Sequence, residues 1–231
     1  MGCEAETGAG TSASRSRRTT PTVALLGAIG LWWAAFGLRP SAAEQTRVLL
    51  VTGVSGDEAH AKDFLRWGAG LVDAAKKRGV SDVVYLAENP AADSTHISGR
   101  ATREGVLKAG ADLAARAQPG DLVFILLIGH GSFDGRQAAF NLPGPDLTAD
   151  DAAGILKKLA AQRVVFINTA SASGAFVDVL KGQGRLIITA TRTGGEKNET
   201  RFAPFLVEAL EGDVADRDRN GRISLQEVFD Y

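Results

Sequence analysis

Two turns rich in small residues contain the side chains that could carry out chemistry in this sequence. The first, Gly129-His130-Gly131, ends an apolar run, and the second contains Ser171 after the next apolar run. An imidazole is a general base near neutral pH, and a serine hydroxyl becomes a nucleophile when such a base takes its proton. His130 and Ser171 are therefore the candidate catalytic pair. The alternative for His130 is a histidine that only hydrogen-bonds a backbone carbonyl at a strand end.

Other residues near these turns predict the lining of a cleft. The backbone NH groups of Gly131 and Ser171 are candidates for an oxyanion hole at the start of a short helix. Ser173 is either a second candidate nucleophile or a turn residue, and Gly174 follows it directly. Arg192 begins a polar loop that either lines the cleft or is a solvated surface loop.

A third cluster matches the 12-residue calcium loop at its diagnostic positions. The predicted ligands are Asp216, Asp218, Asn220, the carbonyl of Arg222, Ser224 and the bidentate carboxylate of Glu227. We expect a structural Ca²⁺ clamp of weak affinity, and the alternative is a capped acidic turn that folds without metal. Because such loops usually pair and this one stands alone, the sequence also suggests a chain cut short after Tyr231.

Five short apolar runs rich in β-branched residues predict the strands that position these clusters. They cover 48–53, 82–87, 121–131, 163–169 and 185–191. None alternates cleanly between polar and apolar residues, which indicates strands buried on both faces. Helical patterns cover 59–78, 102–117, 149–161 and 174–181. We therefore expect an α/β fold, a three-layer α/β/α sandwich with a mainly parallel sheet, in which functional residues follow the carboxyl ends of the strands.

The order of these motifs resembles the caspase and legumain (haemoglobinase) fold. The resemblance runs from about residue 47 to residue 202. Three motifs carry it: GHGS at 129–132, NTASASG at 168–174 and ITATRTGGEKNETRF at 188–202. In that family a histidine after the third strand is the general base and a cysteine after the fourth strand is the nucleophile. The resemblance therefore assigns these roles to His130 and Ser171.

The sequence departs from the family at the nucleophile, where a serine stands in place of the cysteine. A thiol with a pKa of about 8.5 readily forms a thiolate beside an imidazole, whereas a serine hydroxyl needs a well-oriented base. The candidates to orient His130 are Asp134, Asp57 and Glu58. Legumain has an acidic residue two positions before its nucleophile. Here that position is Thr169, so legumain's preference for asparagine does not carry over.

The amino-terminal segment is typical of an exported protein. Three arginines precede a 17-residue apolar run, 22–38, and small residues follow it as far as Ala43. This pattern predicts a signal peptide over 1–43 and a periplasmic or extracellular location. The alternative is an uncleaved membrane anchor at 22–38, since 17 residues reach the lower limit for a spanning helix. The single cysteine, Cys3, precedes the apolar run, so cleavage would leave a chain without disulfides or a thiol nucleophile.

Charge and motif order together define the expected function. The chain has 26 basic and 27 acidic residues, which leaves no basic surface for a nucleic-acid backbone. We expect a peptide or protein as substrate or ligand, and no membrane contact unless the amino-terminal segment is retained. A caspase/legumain-like domain over 44–212 and an EF-hand-like calcium loop over 213–231 would follow the signal peptide. The expected protein is either a weak serine-bearing hydrolase or a pseudo-peptidase. The alternative is a non-catalytic peptide-binding module or a calcium-organised interaction module.

Overall fold

The computed structural model describes residues 44–160 and 162–231. The signal peptide or membrane anchor predicted over 1–43 lies outside these residues. Within the described ranges, no helix combines the length and the apolar character that crossing a bilayer requires.

The described chain alternates strands and helices. The strands are β1 (Thr46–Thr52), β2 (Asp82–Ala87), β3 (Gly99–Arg100), β4 (Leu122–Ile128), β5 (Gly131–Phe133), β6 (Ala138–Phe140), β7 (Leu147–Thr148), β8 (Arg163–Asn168) and β9 (Arg185–Thr189). The helices are α1 (Glu58–Lys77), α2 (Arg103–Arg116), α3 (Ala149–Lys158), α4 (Phe176–Leu180), α5 (Phe202–Glu211) and α6 (Leu225–Asp230). Short 3₁₀ turns lie at Pro90–Ala92 and Ser173–Ala175.

Six strands form one parallel sheet in the order β3-β2-β1-β4-β8-β9. Helices cover both faces of this sheet, so the predicted three-layer α/β/α sandwich is confirmed. Side chains of successive strand residues point to opposite faces. In β1, for example, Leu49 packs in the core beside α2 and α3, whereas Leu50 packs in the core beside α1 and α5. Burial on both faces explains why the strand sequences lack polar alternation.

Polar side chains fix where the helices begin. Asp57 accepts a hydrogen bond from the His60 backbone NH at the start of α1, and Thr102 accepts one from Gly105 at the start of α2. Thr148 and Asp151 form a reciprocal capping box at the start of α3. These contacts satisfy backbone NH groups that have no partner inside the helix.

A second, antiparallel sheet of β5, β6 and β7 was not predicted. The apolar run predicted over 121–131 divides into β4 and β5, so its last residues belong to this small sheet. Phe140 at the end of β6 packs against Gly53 and Gly129, which follow β1 and β4. A Cβ atom on Gly53 would lie 2.4 Å from the carbonyl oxygen of Asn141 and 3.0 Å from the Phe140 ring. The two glycines thus allow the small sheet to close over one side of the strand ends.

The strand order places the reversal of the sheet between β1 and β4. The chain runs outward from β1 to β2 and then crosses to β4 on the other side of β1. In open parallel sheets, ligands bind in the crevice beyond the carboxyl ends of the strands at such a reversal. His130 follows β4 at this position, and Ser55 lies opposite it after β1.

Candidate functional site

The His130 imidazole points toward β1 and α1. Its Nε2 atom lies 3.2 Å from the carbonyl oxygen of Ser55. Its ring centroid is 5.0 Å from that of His60 and 5.7 Å from that of Phe64, both on α1. The side chain is partly buried by these contacts. The imidazole is therefore held by a backbone carbonyl, the arrangement that the sequence left open as the alternative to a catalytic base.

The Ser171 hydroxyl is bonded to the backbone that follows His130. It donates a hydrogen bond to the Gly131 carbonyl oxygen at 3.0 Å and accepts one from the Gly131 NH at 3.3 Å. Ser171 is 7% exposed. The two turns approach so closely that a Cβ atom on Gly131 would lie 2.3 Å from the Ser171 carbonyl oxygen. The structure thus brings the two turns together, but no hydrogen bond joins the side chains of His130 and Ser171.

The three carboxylates considered for orienting His130 have other partners. Asp57 binds the Nδ1 atom of His60 at 2.7 Å, and Glu58 forms an ion pair with Lys62 one helical turn further along α1. Asp134 accepts hydrogen bonds from backbone NH groups of its own turn, at 2.8 Å from Arg136 and 2.7 Å from Gln137. None of the three contacts the His130 imidazole among the described hydrogen bonds.

The turn after Ser171 is held by buried contacts. Ala172 has a φ angle of 57° in the left-handed region, which for a residue with a Cβ costs about 1–2 kcal/mol. Ser173 is 1% exposed, and its Oγ atom accepts hydrogen bonds from the NH groups of Ala190 and Thr191. Gly174 lies so close to the next loop that a Cβ would be 2.3 Å from the Arg192 carbonyl carbon. Ser173 and Gly174 therefore tie the turn to the chain after β9.

The polar loop 192–201 covers the carboxyl end of β9. Arg192 is exposed, and its NH donates to Glu196 within the loop at 3.0 Å. The hydroxyl of Thr200 donates to the carbonyl oxygen of Thr169, which anchors the far end of the loop beside the Ser171 turn. Residues 190–191 and 195–202, most of which belong to this loop, line a cavity of about 530 Å³. We refer to the strand ends that carry Ser55, His130 and Ser171, together with this loop, as the strand-tip cleft; loop residues line the cavity, whereas His130 and Ser171 do not.

His60 forms a contact that the sequence did not predict. Its Nδ1 atom lies 2.7 Å from Asp57 and its Nε2 atom 3.1 Å from Glu199 in the polar loop. The hydrogen bond with Asp57, followed by that with Glu199, raises the pKa of His60 above its usual value, and burial opposes the rise. Glu199 is 139 residues from His60 in sequence, so no local pattern could have indicated this pair. The His60 side chain thus links the start of α1 to the polar loop.

The raised pKa of His60 is measurable by NMR titration of its imidazole signals. We expect a pKa above the ordinary value of about 6.5, and a fall toward that value in Glu199→Gln. Because the folded pKa is raised, the link stabilises the protein below the unfolded pKa and is lost as pH rises through the folded pKa. His96, which is held by Asp93 and Asp73, provides an internal control that should not respond to the substitution. An unchanged His60 titration in Glu199→Gln would contradict the contact.

The calcium-loop motif folds around its own carboxylates. Both carboxylate oxygens of Asp216 accept hydrogen bonds from backbone NH groups, one from Asn220 at 3.1 Å and one from Gly221 at 2.8 Å. Glu227 accepts the Arg217 NH at 2.9 Å and caps α6 through Ser224. The φ angle of 76° at Gly221 explains the glycine at the sixth position of the motif.

The donor atoms of this loop suit a hard cation. Oxygen atoms of Asp216, Asp218 and Glu227 all lie within 4.8 Å of one another. Asn220 and Ser224, like the carboxylates, use their side-chain oxygens within the loop: Asn220 accepts a hydrogen bond from the Arg222 NH, and Ser224 donates one to Glu227. An all-oxygen set with three carboxylates fits Ca²⁺ better than a metal that prefers nitrogen or sulfur. The structure therefore brings the three predicted carboxylate ligands together.

The carboxyl-terminal segment packs on the main core. Leu225 and Val228 of α6 contact the apolar cluster formed with α1 and α5. The nearby side chain of Glu208 on α5 raises the pKa of the Tyr231 phenol. A cation at the loop would thus sit at the base of a helix that is attached to the sheet domain.

Comparison with known proteins gives a structural similarity only. No family model matches the chain, and no curated protein matches it. Among solved structures, the chain is similar to the crystal structure of a structural-genomics target protein from Geobacter sulfurreducens, with a TM-score of 0.48 and 16% identity. The match covers 74% of this chain and 83% of that chain. At this level of similarity, nothing about the activity of the Geobacter protein is transferred to this chain.

Proposed function

We propose that this protein is an exported pseudo-peptidase of the caspase/legumain-like type, which holds a peptide at the strand-tip cleft without cleaving it. The observation that carries the proposal is the pairing of the Ser171 hydroxyl with the Gly131 backbone. The hydroxyl donates its only proton in a hydrogen bond to the Gly131 carbonyl oxygen, and its oxygen accepts a hydrogen bond from the Gly131 NH. The candidate nucleophile, Ser171, and one candidate oxyanion donor, the Gly131 NH, are therefore hydrogen-bonded to each other.

The surroundings of His130 support the absence of catalysis. Serine attack requires a base within hydrogen-bond reach of the hydroxyl, and usually a third group that orients that base. The Nε2 atom of His130 is 3.2 Å from the Ser55 carbonyl, and Asp57, Glu58 and Asp134 are bonded elsewhere. Without the greater nucleophilicity of a thiolate, this arrangement offers no route to an activated hydroxyl.

Peptide binding and calcium binding complete the proposal. Residues of the polar loop line a cavity of about 530 Å³ beside the Ser171 turn. This cavity offers room for an extended ligand along the edge of the sheet. Ca²⁺ at Asp216, Asp218 and Glu227 would hold α6 against the domain. A single loop of this kind acts as a weak structural clamp in the calcium-rich environment outside the cell.

Labelling with a fluorophosphonate tests whether Ser171 is an active nucleophile. We expect the wild-type protein to label no more than Ser171→Ala does, because the hydroxyl proton is not accessible to a base. Labelling of the wild type that disappears in Ser171→Ala would overturn the proposal in favour of a weak serine hydrolase. Gel detection of the probe is sufficient for this comparison.

A cysteine at the same position tests whether the cleft could support the chemistry of a thiol. We expect Ser171→Cys to remain without peptidase activity and to react slowly with a thiol-directed reagent, because the position is 7% exposed and lacks an engaged base. Ser132→Cys is the matched control, since Ser132 is exposed in β5. Peptidase activity in folded Ser171→Cys would show that the cleft retains its catalytic geometry.

A further inference from the structure

A separate cavity of about 210 Å³ lies between α1 and the carboxyl ends of β1 and β2. Its walls are mainly apolar and include Phe64, Leu65, Ala87 and Ile97. This volume is smaller than the usual pocket for a drug-sized molecule. One large side chain is therefore the natural size of its occupant.

The cavity adjoins the strand-tip cleft. Phe64 lines the cavity and also packs 5.7 Å from the His130 ring, measured between centroids. Ser55 lines the cavity too, and its carbonyl oxygen lies 3.2 Å from His130 Nε2. A chain lying along the strand ends could therefore reach the cavity with its first residue.

The polar groups at the bottom of the cavity are already paired. The hydroxyls of Thr52 and Tyr85 lie 3.2 Å apart, and Tyr85 also contacts the Phe64 carbonyl at 3.4 Å. These groups need no hydrogen bond from a ligand. An apolar side chain that displaces water from this space leaves no buried polar group unsatisfied.

Glu88 provides one oriented charge at the mouth. Its Oε2 atom accepts hydrogen bonds from the Ser55 NH at 3.0 Å and from the Ser55 hydroxyl at 2.8 Å. None of the hydrogen bonds among the described residues uses the Oε1 atom. The other charges at the rim, Glu58 and Lys62, form an ion pair with each other at 2.7 Å. The net charge of the rim is thus negative and is concentrated on a positioned carboxylate.

We propose that this cavity binds the amino-terminal residue of a peptide, with an apolar side chain in the cavity and the α-ammonium group on Glu88. The inference rests on the proposed peptide-binding function and specifies which part of the peptide is recognised. Charge complementarity selects an amine, because an ammonium group can donate to the Oε1 atom of Glu88. The apolar walls select a side chain such as that of leucine, methionine or phenylalanine.

Calorimetric titration of the full chain with three synthetic peptides tests the assignment. The probes are a heptapeptide amide that begins with leucine, the same peptide with an acetylated amino terminus, and the same peptide beginning with glutamate. We expect acetylation to weaken binding by about tenfold or more, because it removes the charged donor. The glutamate peptide should bind at least as weakly as the acetylated one. Equal affinity for the free and acetylated peptides would overturn the role of Glu88.

Matched variants separate the cavity from the rest of the cleft. Glu88→Gln removes the charge while keeping an oxygen acceptor for Ser55, and Ala61→Phe places a ring at the cavity lining. Both should weaken binding of the leucine peptide by about tenfold or more. Ala59→Phe is the control for a ring on the same helix, since Ala59 is exposed and does not line the cavity. It should leave affinity unchanged, and melting curves of all variants check folding.

The outcomes distinguish the cavity assignment from the proposed function. If peptides bind with affinities that neither acetylation nor Ala61→Phe changes, the peptide-binding function stands and the cavity assignment fails. If no peptide binds the wild-type protein, the peptide-binding function fails and the cavity assignment fails with it. Fluorophosphonate labelling of Ser171 would contradict only the absence of catalysis and would leave the cavity assignment in place.

Discussion

Replacing Arg47 with alanine is expected to lower the free energy of unfolding by about 3 kcal/mol. Arg47 lies at the amino end of β1, where its Nε atom binds Asp121 at 2.8 Å and its Nη1 atom binds Asp82. The side chains of Arg47 and Asp121 are only 9% and 3% exposed. Removing the guanidinium would leave the Asp121 carboxylate buried without its opposite charge, which is the costly way to break an ion pair. Urea unfolding gives the free-energy difference directly.

Arg116 offers a matched control for this prediction. It also binds Asp82, through contacts of 3.2 and 2.9 Å, but its side chain is 44% exposed. Because solvent screens exposed pairs, Arg116→Ala should cost less than about 1 kcal/mol. Equal losses in the two variants would show that burial of Asp121 is not the cause. Replacing Arg47 and Asp121 together with apolar residues should recover only part of the loss, because the buried Asp121 charge is then absent but the Gln45 and Gln118 NH groups lose their acceptor.

The same ion pairs predict the direction of the pH dependence. Burial acts to raise the pKa of Asp121, but hydrogen bonds from the NH groups of Gln118 and Gln45 and from Arg47 outweigh it and hold the pKa below the ordinary value. A lowered folded pKa gives stability that is present above the unfolded pKa of about 3.9 and is lost as pH falls through the folded pKa. The stability difference between wild type and Arg47→Ala should therefore shrink below about pH 4.

The main sheet could be predicted from sequence because its strands are buried on both faces. Runs such as the one that became β4 are continuous and apolar, and the capping residues Asp57 and Thr148 mark helix starts locally. The small sheet could not be predicted in the same way. Its strands have two or three residues, too few to show a polar and apolar alternation, and the burial of Phe140 depends on contacts with other segments of the chain.

In the candidate site, too, the features set by neighbouring residues in the sequence could be predicted, and those set by contacts between distant residues could not. Parallel strand ends meet at one edge, so the proximity of the His130 and Ser171 turns followed from strand order. The directions of their side chains did not follow, because the Ser55 carbonyl that holds His130 lies 75 residues away. The loop at 216–227 is the opposite case, since all its predicted ligands lie within 12 residues. Its spacing alone indicated how the carboxylates of Asp216 and Glu227 come together.

Addition of 10 mM Ca²⁺ is expected to raise the melting temperature by about 5 °C relative to a chelator control. The affinity assumed is that of unpaired extracellular loops, on the order of 10⁻⁴ to 10⁻³ M. Three carboxylates close together repel one another, and a cation that binds only the folded loop relieves this repulsion. Differential scanning calorimetry measures the shift and shows whether it saturates with Ca²⁺ concentration.

The variant that tests this shift must preserve the helix cap. Glu227 accepts hydrogen bonds from the Ser224 NH and hydroxyl at the start of α6, so alanine would remove one half of the capping box together with the ligand. Glutamine can also occupy this capping position. Glu227→Gln should therefore keep α6 while losing most of the Ca²⁺ shift. Mg²⁺ should stabilise the wild type less, because it requires a tighter and more rigid octahedral shell than Ca²⁺ does. A Ca²⁺ shift of equal size in Glu227→Gln, or no shift in the wild type, would mean that the segment is an acidic turn stabilised by its own hydrogen bonds.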